Sequence, residues 1–389
     1  MAVQQGHGKM AGANSLVFAY DTGDTVNSYK GEPTENLITG NMNTSGAASL
    51  GSDAGGNYIQ LGNNTSSYAA IVVPNIYIPS GVTYTWSFEL KSSETFTSNF
   101  SWDTNEYSDQ YPNSNDNSRL TYNHSTPTMV ANEWTQYRLT VVMKDGLTNA
   151  RSGDFFRFFF PTFQNKKIYY RNVQFELKDH ITSYAGLGGT RSATEGLKDL
   201  KGNIDIDLSN VSFDANAEMT FDGTDDKIVI PADSFSNIGT SNFTVELVFK
   251  NTKTSNYSHF FSVKDQYHFA LKMSNTGDRN IYVYRNSALS THNVISAYAP
   301  SSTDYYHLVC KREGDNLELY LNGVSKGTKS GWNSIDIEND TYATSIGTHG
   351  TSSEFTGGEI PVVKLYNKAL TAAEVQANFN NYKTRFNIS

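Results

Sequence analysis

The chain has 389 residues, 38% hydrophobic and 13% aromatic, with 30 glycines, one cysteine and a formal net charge of −9. That apolar content can fill the cores of two domains, while the acidic balance excludes nucleic acid as a partner, because phosphate binding needs a basic surface. A single cysteine excludes an internal disulfide, and no apolar run reaches the length needed for membrane insertion.

Residues 1–14, MAVQQGHGKMAGAN, are polar, glycine-rich and aperiodic. Such a segment is expected to be an N-terminal arm ordered only by a neighbour, with His7 and Lys9 as contact residues rather than ligands. It lacks the apolar centre of a signal peptide, so synthesis in the cytoplasm without a cleaved leader is expected. Residues 15–185 then read as a first β-sandwich. Strands are predicted at 15–20, 58–61, 69–73, 84–90, 134–143, 155–160 and 168–177 from their spacing, the Gly, Pro and Asn between them and the absence of helical periodicity.

Residues 94–118 read as a loop mixing Trp102, Tyr107 and Tyr111 with Asp103, Asp109 and Asp116. Aromatic faces stack on the apolar side of a sugar ring while carboxylates accept from its hydroxyls, so Trp102, Tyr107, Tyr111, Asp103 and Asp109 form a candidate carbohydrate site. The alternatives are a loop pinned to its sandwich or to a partner subunit by the same aromatics, and a calcium site built from the same carboxylates.

Residues 186–215 are expected to be a connector, loosened by Gly186, Gly188 and Gly189, with short strands at 204–208 and 211–213. Residues 216–389 form the second predicted domain. Its opening loop holds Asp222, Asp225 and Asp226, read as Asx turns or as weak calcium ligands. Strands are predicted at 243–249, 281–284 and 360–366, and a hairpin at 305–321 turns at Glu313-Gly314-Asp315. Cys310 falls on that hairpin and is expected to be buried and unreactive. Tyr257, His259, His268 and Trp332 fall in or near predicted loops, as candidate rim ligands or as packed side chains. The chain closes with a helix signalled by the capping box Thr371-Ala-Ala-Glu374, the staple pair Leu370 and Val375, and the stripe Val375, Phe379, Tyr382, expected to pack on the sandwich edge. The fold class is therefore all-β: two β-sandwich (jelly-roll) domains with one short C-terminal helix.

The segments FDGTDD (221–226), LYLNG (319–323), SIG (345–347), FTGG (355–358) and LYNKALT (365–371) followed by Glu374 resemble the concanavalin A-like, laminin-G-type family. That resemblance implies the fold of the second domain, which serves lectins, glucanases and structural modules alike. In the first domain, YTWSFEL (84–90), EWTQYRLT (133–140) and YYRNVQFE (169–176) resemble jelly-roll carbohydrate-binding modules. The joint at 179–222 and LVFAYDTG (16–23) resemble connectors that precede laminin-G-type domains in structural proteins of tailed phages of marine bacteria.

What the last resemblance implies is a virion structural protein at the particle surface, a head decoration, fibre or tail-associated protein. It would contact other virion proteins through the N-terminal arm, form a homo-oligomer, a trimer first, and aid host attachment through cell-surface glycans. The alternatives are a carbohydrate-binding adhesin or lectin not tied to a virion, and a polysaccharide hydrolase. Glucanases of the resembled fold carry E-x-D-x-x-E on one strand; here Asp205-Ile-Asp207 lacks the further Glu, and Glu313 to Glu318 spans a turn. No G-x-S-x-G, H-E-x-x-H, phosphate loop or Cys/His ligand cluster is present in the sequence. The expectation is no catalytic residue, no enzyme activity, and no cofactor beyond structural calcium.

Overall fold

Alternation at residues 306–321 produces the expected hairpin, strands Tyr306–Glu313 and Asn316–Leu321, turning at Gly314, whose φ of 58° suits glycine. A second turn at Asn322 and Gly323 leads to Val324–Lys329. Tyr306–Glu313 is buried on both faces up to its last residue. Leu308 and Cys310 point into the core between two sheets, whereas Val309 joins Tyr320, Tyr366, Leu370 and Val375 beneath the C-terminal helix. Burial raises the Cys310 thiol far above its ordinary range, which leaves it an inert apolar group.

In the computed structural model, the described residues are 11–38, 43–46, 48–53, 56–61, 69–74, 81–97, 101–105, 120–125, 128–143, 155–160, 168–234, 238–263, 269–275, 279–284, 296–299, 301–333, 337, 343–349 and 354–389. The predicted arm lies outside them except for its last four residues. The chain is all-β with one α-helix among the described residues, and it divides into two compact units.

The larger unit is a two-sheet sandwich. Its eight-stranded sheet runs Ser212–Phe213, Met219–Asp222, Gly357–Tyr366, Phe243–Asn251, Tyr306–Glu313, Asn316–Leu321 and Val324–Lys329, and Leu16–Asp21 also pairs with Gly357–Tyr366. The facing sheet runs Ile228–Ile230, Thr344–Ile346, Tyr257–Val263, Phe269–Ser274, Asn280–Tyr284 and Ser296–Tyr298. Val245, Leu247, Phe249, Phe261, Leu271, Ile281, Leu319 and Val363 fill the space between them.

Membership of this unit departs from the expected boundaries. It comprises residues 192–214 and 218–389 together with the described residues up to 33, so the strand expected to open the first domain belongs to the second. The cause lies in its composition. All six residues of Leu16–Asp21 are buried, and a strand apolar on both sides needs cover on both sides. It gains that cover here, with Phe18 and Tyr20 in the inter-sheet core and Leu16 and Ala19 on the helix side. Segment 204–208 is no strand: Ile204, Ile206 and Leu208 are buried, but only an isolated bridge joins Lys198 to Asp205. The Asp199 carboxylate holds this turn by accepting from the amides of Ala19, Lys201 and Asn203.

The smaller unit, residues 34–191 with 215–217, contains a six-stranded sheet ordered Leu120–His124, Trp134–Met143, Thr83–Ser92, Ile168–Glu176, Gly56–Leu61 and Ala48–Asp53. A four-stranded sheet follows the order Asn43–Gly46, Ala69–Pro74, Phe155–Phe160 and Ser101–Asn105. One face of the six-stranded sheet buries Trp86, Phe88, Tyr137, Tyr170 and Phe175, and Phe88 stacks on Tyr137 at 4.7 Å. Thr34–Glu35 pairs with Thr190–Arg191, closing the two ends of this unit on each other.

The helix spans Ala372–Arg385 and has the predicted capping box: Thr371 accepts from the Glu374 amide, and the Glu374 carboxylate accepts in return from the Thr371 amide. It packs on the face of the eight-stranded sheet rather than on the sandwich edge. Phe379 and Tyr382 sit against Val248 and Val362, and Phe379 stacks on the His307 ring at 5.9 Å. The outer face of these central strands is too apolar to remain open, so it recruits the stripe of the helix.

Candidate functional site

Alternation along the six-stranded sheet of the smaller unit sends Tyr137 and Leu139 inward and leaves Trp134 half-buried on the opposite side. Trp134 pairs across the ladder with Lys91, and Lys91 in turn with Tyr169. Lys91 Nζ lies 4.7 Å from the Trp134 ring centroid and 5.0 Å from that of Tyr169. The Arg171 guanidinium lies 4.1 Å from the Trp134 ring. Tyr169 meets Tyr58 edge-on at 5.3 Å. Gly51 makes room for Tyr58, since a Cβ there would come within 2.5 Å of the ring.

Polar groups converge on the same face. Arg171 Nε donates to Glu89 Oε2 at 2.5 Å, and Asn172 Nδ2 donates to the same oxygen at 3.2 Å. Asn172 sits at φ 55° where the register shifts between Arg171 and Gln174, and this bulge coincides with the Asn172 contact to Glu89. The result is a row of three aromatic rings bordered by a carboxylate, a guanidinium and an ammonium. Such a face can stack on planar apolar surfaces and hydrogen-bond to hydroxyls. Sequence reasoning missed it, although part of the signal was present as Tyr169 and Arg171, two apart in YYRNVQFE.

The carbohydrate loop proposed from sequence fares differently. Trp102 and Asp103 belong to strand Ser101–Asn105, their backbones opposite Phe158 and Arg157, because Phe155–Phe160 offers a ladder to pair with. Tyr107, Asp109, Tyr111 and Asp116 lie outside the described residues, as does His268.

In the larger unit Trp332 is a core residue, 2% exposed, with its ring edge-on to Phe269 at 6.4 Å. His259 sits on strand Tyr257–Val263, not in a loop, and is fully buried. Its Nε2 lies 2.8 Å from Glu354 Oε2 and its Nδ1 3.2 Å from Ser262 Oγ. Burial pulls the imidazole down to about 4, with the charges of His349 and Lys272 adding to the effect against the hydrogen bond of Glu354. The ring is therefore neutral at pH 7. Glu354 is held below its usual value by the hydrogen bond from His259. His349 completes the group, its Nε2 3.4 Å from Glu354 Oε2 and its ring 4.2 Å from that of His259. Lys272 is the cross-strand neighbour of His259, and its Nζ lies 4.3 Å over the half-buried Tyr257 ring.

A second cluster joins Asp222, Asp225 and Asp226. Three of its oxygens already hold bonds within the fold. Asp226 accepts from the Asp222 amide at 2.6 Å and from Ser212 Oγ at 3.1 Å, and Asp222 Oδ1 accepts from the amides of Thr224 and Asp225. The bonds to Asp222 Oδ1 are Asx-turn bonds, and together these contacts stabilise the loop. Lys253 ties this loop to the one bearing Glu354, donating to the carbonyls of Gly223 and Phe355.

Residues 222–376 match the family model described as the concanavalin A-like lectin/glucanases superfamily. The second domain is a concanavalin A-like sandwich. No curated protein matches the sequence. Among solved structures, the binding domain of paraclostridial mosquitocidal protein 1 is similar at 16% identity and a TM-score of 0.39, covering 48% of this chain and 49% of that one. The chain thus spans about half the length of that structure, 49%. Domain 4 of an extracellular GH43 arabinanase from Geobacillus stearothermophilus, in complex with arabinotriose, is similar at 15% identity and a TM-score of 0.36, over 48% of this chain and 91% of that one. The botulinum neurotoxin serotype D binding domain aligns at 15% identity and a TM-score of 0.38, over 49% and 50%. At these identities and TM-scores no function is read from the likeness.

Proposed function

We propose that this chain is a non-enzymatic docking protein that binds glycans through the Trp134, Tyr169 and Tyr58 face of its smaller unit and is carried on the surface of a virus particle. The observation that carries the first part is the juxtaposition of three half-buried rings with Glu89, Arg171 and Lys91 on one sheet face. Rings flanked by a fixed carboxylate and a guanidinium recognise a sugar by stacking on its apolar side and by hydrogen bonding around its rim. The non-catalytic reading is supported by how the described acidic clusters are engaged: Asp226 and Asp222 hold backbone amides, and Glu354 holds an imidazole. Glycoside hydrolysis instead needs two carboxyls facing the scissile bond.

Glycan-array screening of the full chain tests the site. Binding to at least one array sugar is expected, and Trp134→Ala and Tyr169→Ala should each weaken it about tenfold or more, the equivalent of about 1.4 kcal/mol. No signal from any sugar, or a signal indifferent to both substitutions, removes the reading.

The particle placement rests on the resemblance of residues 16–23 and 179–222 to connectors of phage structural proteins. Mass spectrometry of purified particles is expected to detect the chain in stoichiometric amounts. Its absence there, with glycan binding intact, leaves an adhesin free of a virion.

A further inference from the structure

We propose that His259, His349 and Glu354 form a site for a transition-metal ion of the zinc class. The two imidazoles and the carboxylate each offer one ligand atom, and these atoms lie within 4.8 Å of one another. Zinc bonds of about 2.0–2.2 Å in a tetrahedron place donors roughly 3.3 Å apart. His259 Nε2 and His349 Nε2 already stand 2.8 and 3.4 Å from Glu354 Oε2, so two of the three donor spacings lie near that value.

The donor set selects the metal. Two imidazoles with one carboxylate suit zinc, cobalt, nickel or copper, whereas calcium asks for six to eight oxygens. The surroundings are those of a built site. His259 is held on a strand, its backbone carbonyl accepts from Thr356 Oγ1 at 2.7 Å, and Ser262 Oγ lies 3.2 Å from the ring nitrogen that would not bind the ion. That serine can accept as readily as donate, so it can stabilise the tautomer with a bare Nε2, as the outer partner of a metal-bound histidine does. Three protein ligands leave a fourth position for water or a ligand oxygen.

Two cations oppose the ion. Lys272 and Lys253 both feel the Glu354 charge, and Lys253 is pinned by the carbonyls of Gly223 and Phe355. Lys272 rests over the Tyr257 ring, and its substitution supplies a test that an unrelated surface site would not pass.

Isothermal titration of the full chain with ZnCl2, and cobalt(II) titration read by its visible d–d bands, measure the site directly. One ion per chain and the intense bands of four-coordinate cobalt are expected. His349→Ala and Glu354→Gln should each weaken zinc binding by about a hundredfold or more, and Lys272→Met should tighten it roughly tenfold by removing a like charge. Circular dichroism of each variant establishes its fold. Glu354→Gln keeps the shape of the native contact and carries the test alone if His349→Ala misfolds. Absence of zinc heat and cobalt bands from the native chain overturns the proposal. So does zinc binding of equal strength in the native chain and a folded Glu354→Gln, which would assign the ion to other histidines.

Discussion

A fragment of residues 216–389, the domain that sequence motifs delimit, is expected to give no cooperative unfolding transition in urea, although the full chain gives one for this unit. The fragment lacks residues 192–214, whose Leu197, Ile206 and Leu208 belong to the core, and it lacks the strand Leu16–Asp21. That strand pairs with Gly357–Tyr366 over five residues, and Phe18 and Tyr20 are both fully buried in the inter-sheet core. Tyr20 donates its hydroxyl to the Ile360 carbonyl at 2.9 Å, and Asp21 pairs with Arg385 of the C-terminal helix at 2.6 Å. Loss of one large buried aromatic costs about 3–5 kcal/mol, and two such losses reach the total stability of a typical domain, about 5–15 kcal/mol. In the full chain Phe18→Ala alone should cost about 3–5 kcal/mol. A cooperative transition in the fragment within about 1 kcal/mol of the full chain would show that the strand is dispensable.

Glu246→Ala should cost about 3–5 kcal/mol, because it strips the acceptor from a buried polar group and leaves its donors uncompensated. Glu246 is fully buried on Phe243–Asn251, under the helix. It accepts from His307 Nε2 at 2.8 Å, from the Tyr366 hydroxyl at 2.6 Å and from Asn378 Nδ2 at 3.1 Å. Lys364, 1% exposed, supplies a further positive charge to the same network. Burial by itself would raise this carboxyl, yet the hydrogen bond and charge of His307 and the charge of Lys364 hold it below its unfolded value of 4.5. The sign follows. A depressed folded value stabilises the protein above pH 4.5 and loses that stabilisation as pH falls through it. Urea unfolding at a series of acidic pH values should therefore show a shallower loss in Glu246→Gln than in the native chain. Parallel curves would place the acid-labile group elsewhere.

Much of the fold was legible from residue patterns, because a strand half-buried in a sheet displays its burial as alternation. Asn316–Leu321, where Leu317, Leu319 and Leu321 alternate, falls where that rule puts it. The helix was legible through a local reciprocal bond, Thr371 with Glu374, that needs no tertiary partner. Leu16–Asp21 was legible as a strand but not as part of the second sandwich, since a segment apolar on both faces says nothing about which sheet will take it. The same blindness hid the histidine cluster: His259 and Glu354 are 95 residues apart, and no spacing rule joins two loops and a strand that only a closed sandwich brings together. Trp134 and Tyr169 were read as part of a fold pattern because each sits among core residues in sequence, and only the ladder through Lys91 shows that they share the outer face.

The pairing of Tyr20 with Ile360 across 340 residues has a consequence for biosynthesis. On the ribosome Leu16–Asp21 emerges long before its partner strand, while the unit at residues 34–191 can fold as soon as it is made. Phe18 and Tyr20 must then wait uncovered until residues 357–366 have left the exit tunnel, and an unpaired apolar strand in a nascent chain is a site for chaperones or for aggregation. Closure of the larger unit thus awaits the late capture of this strand.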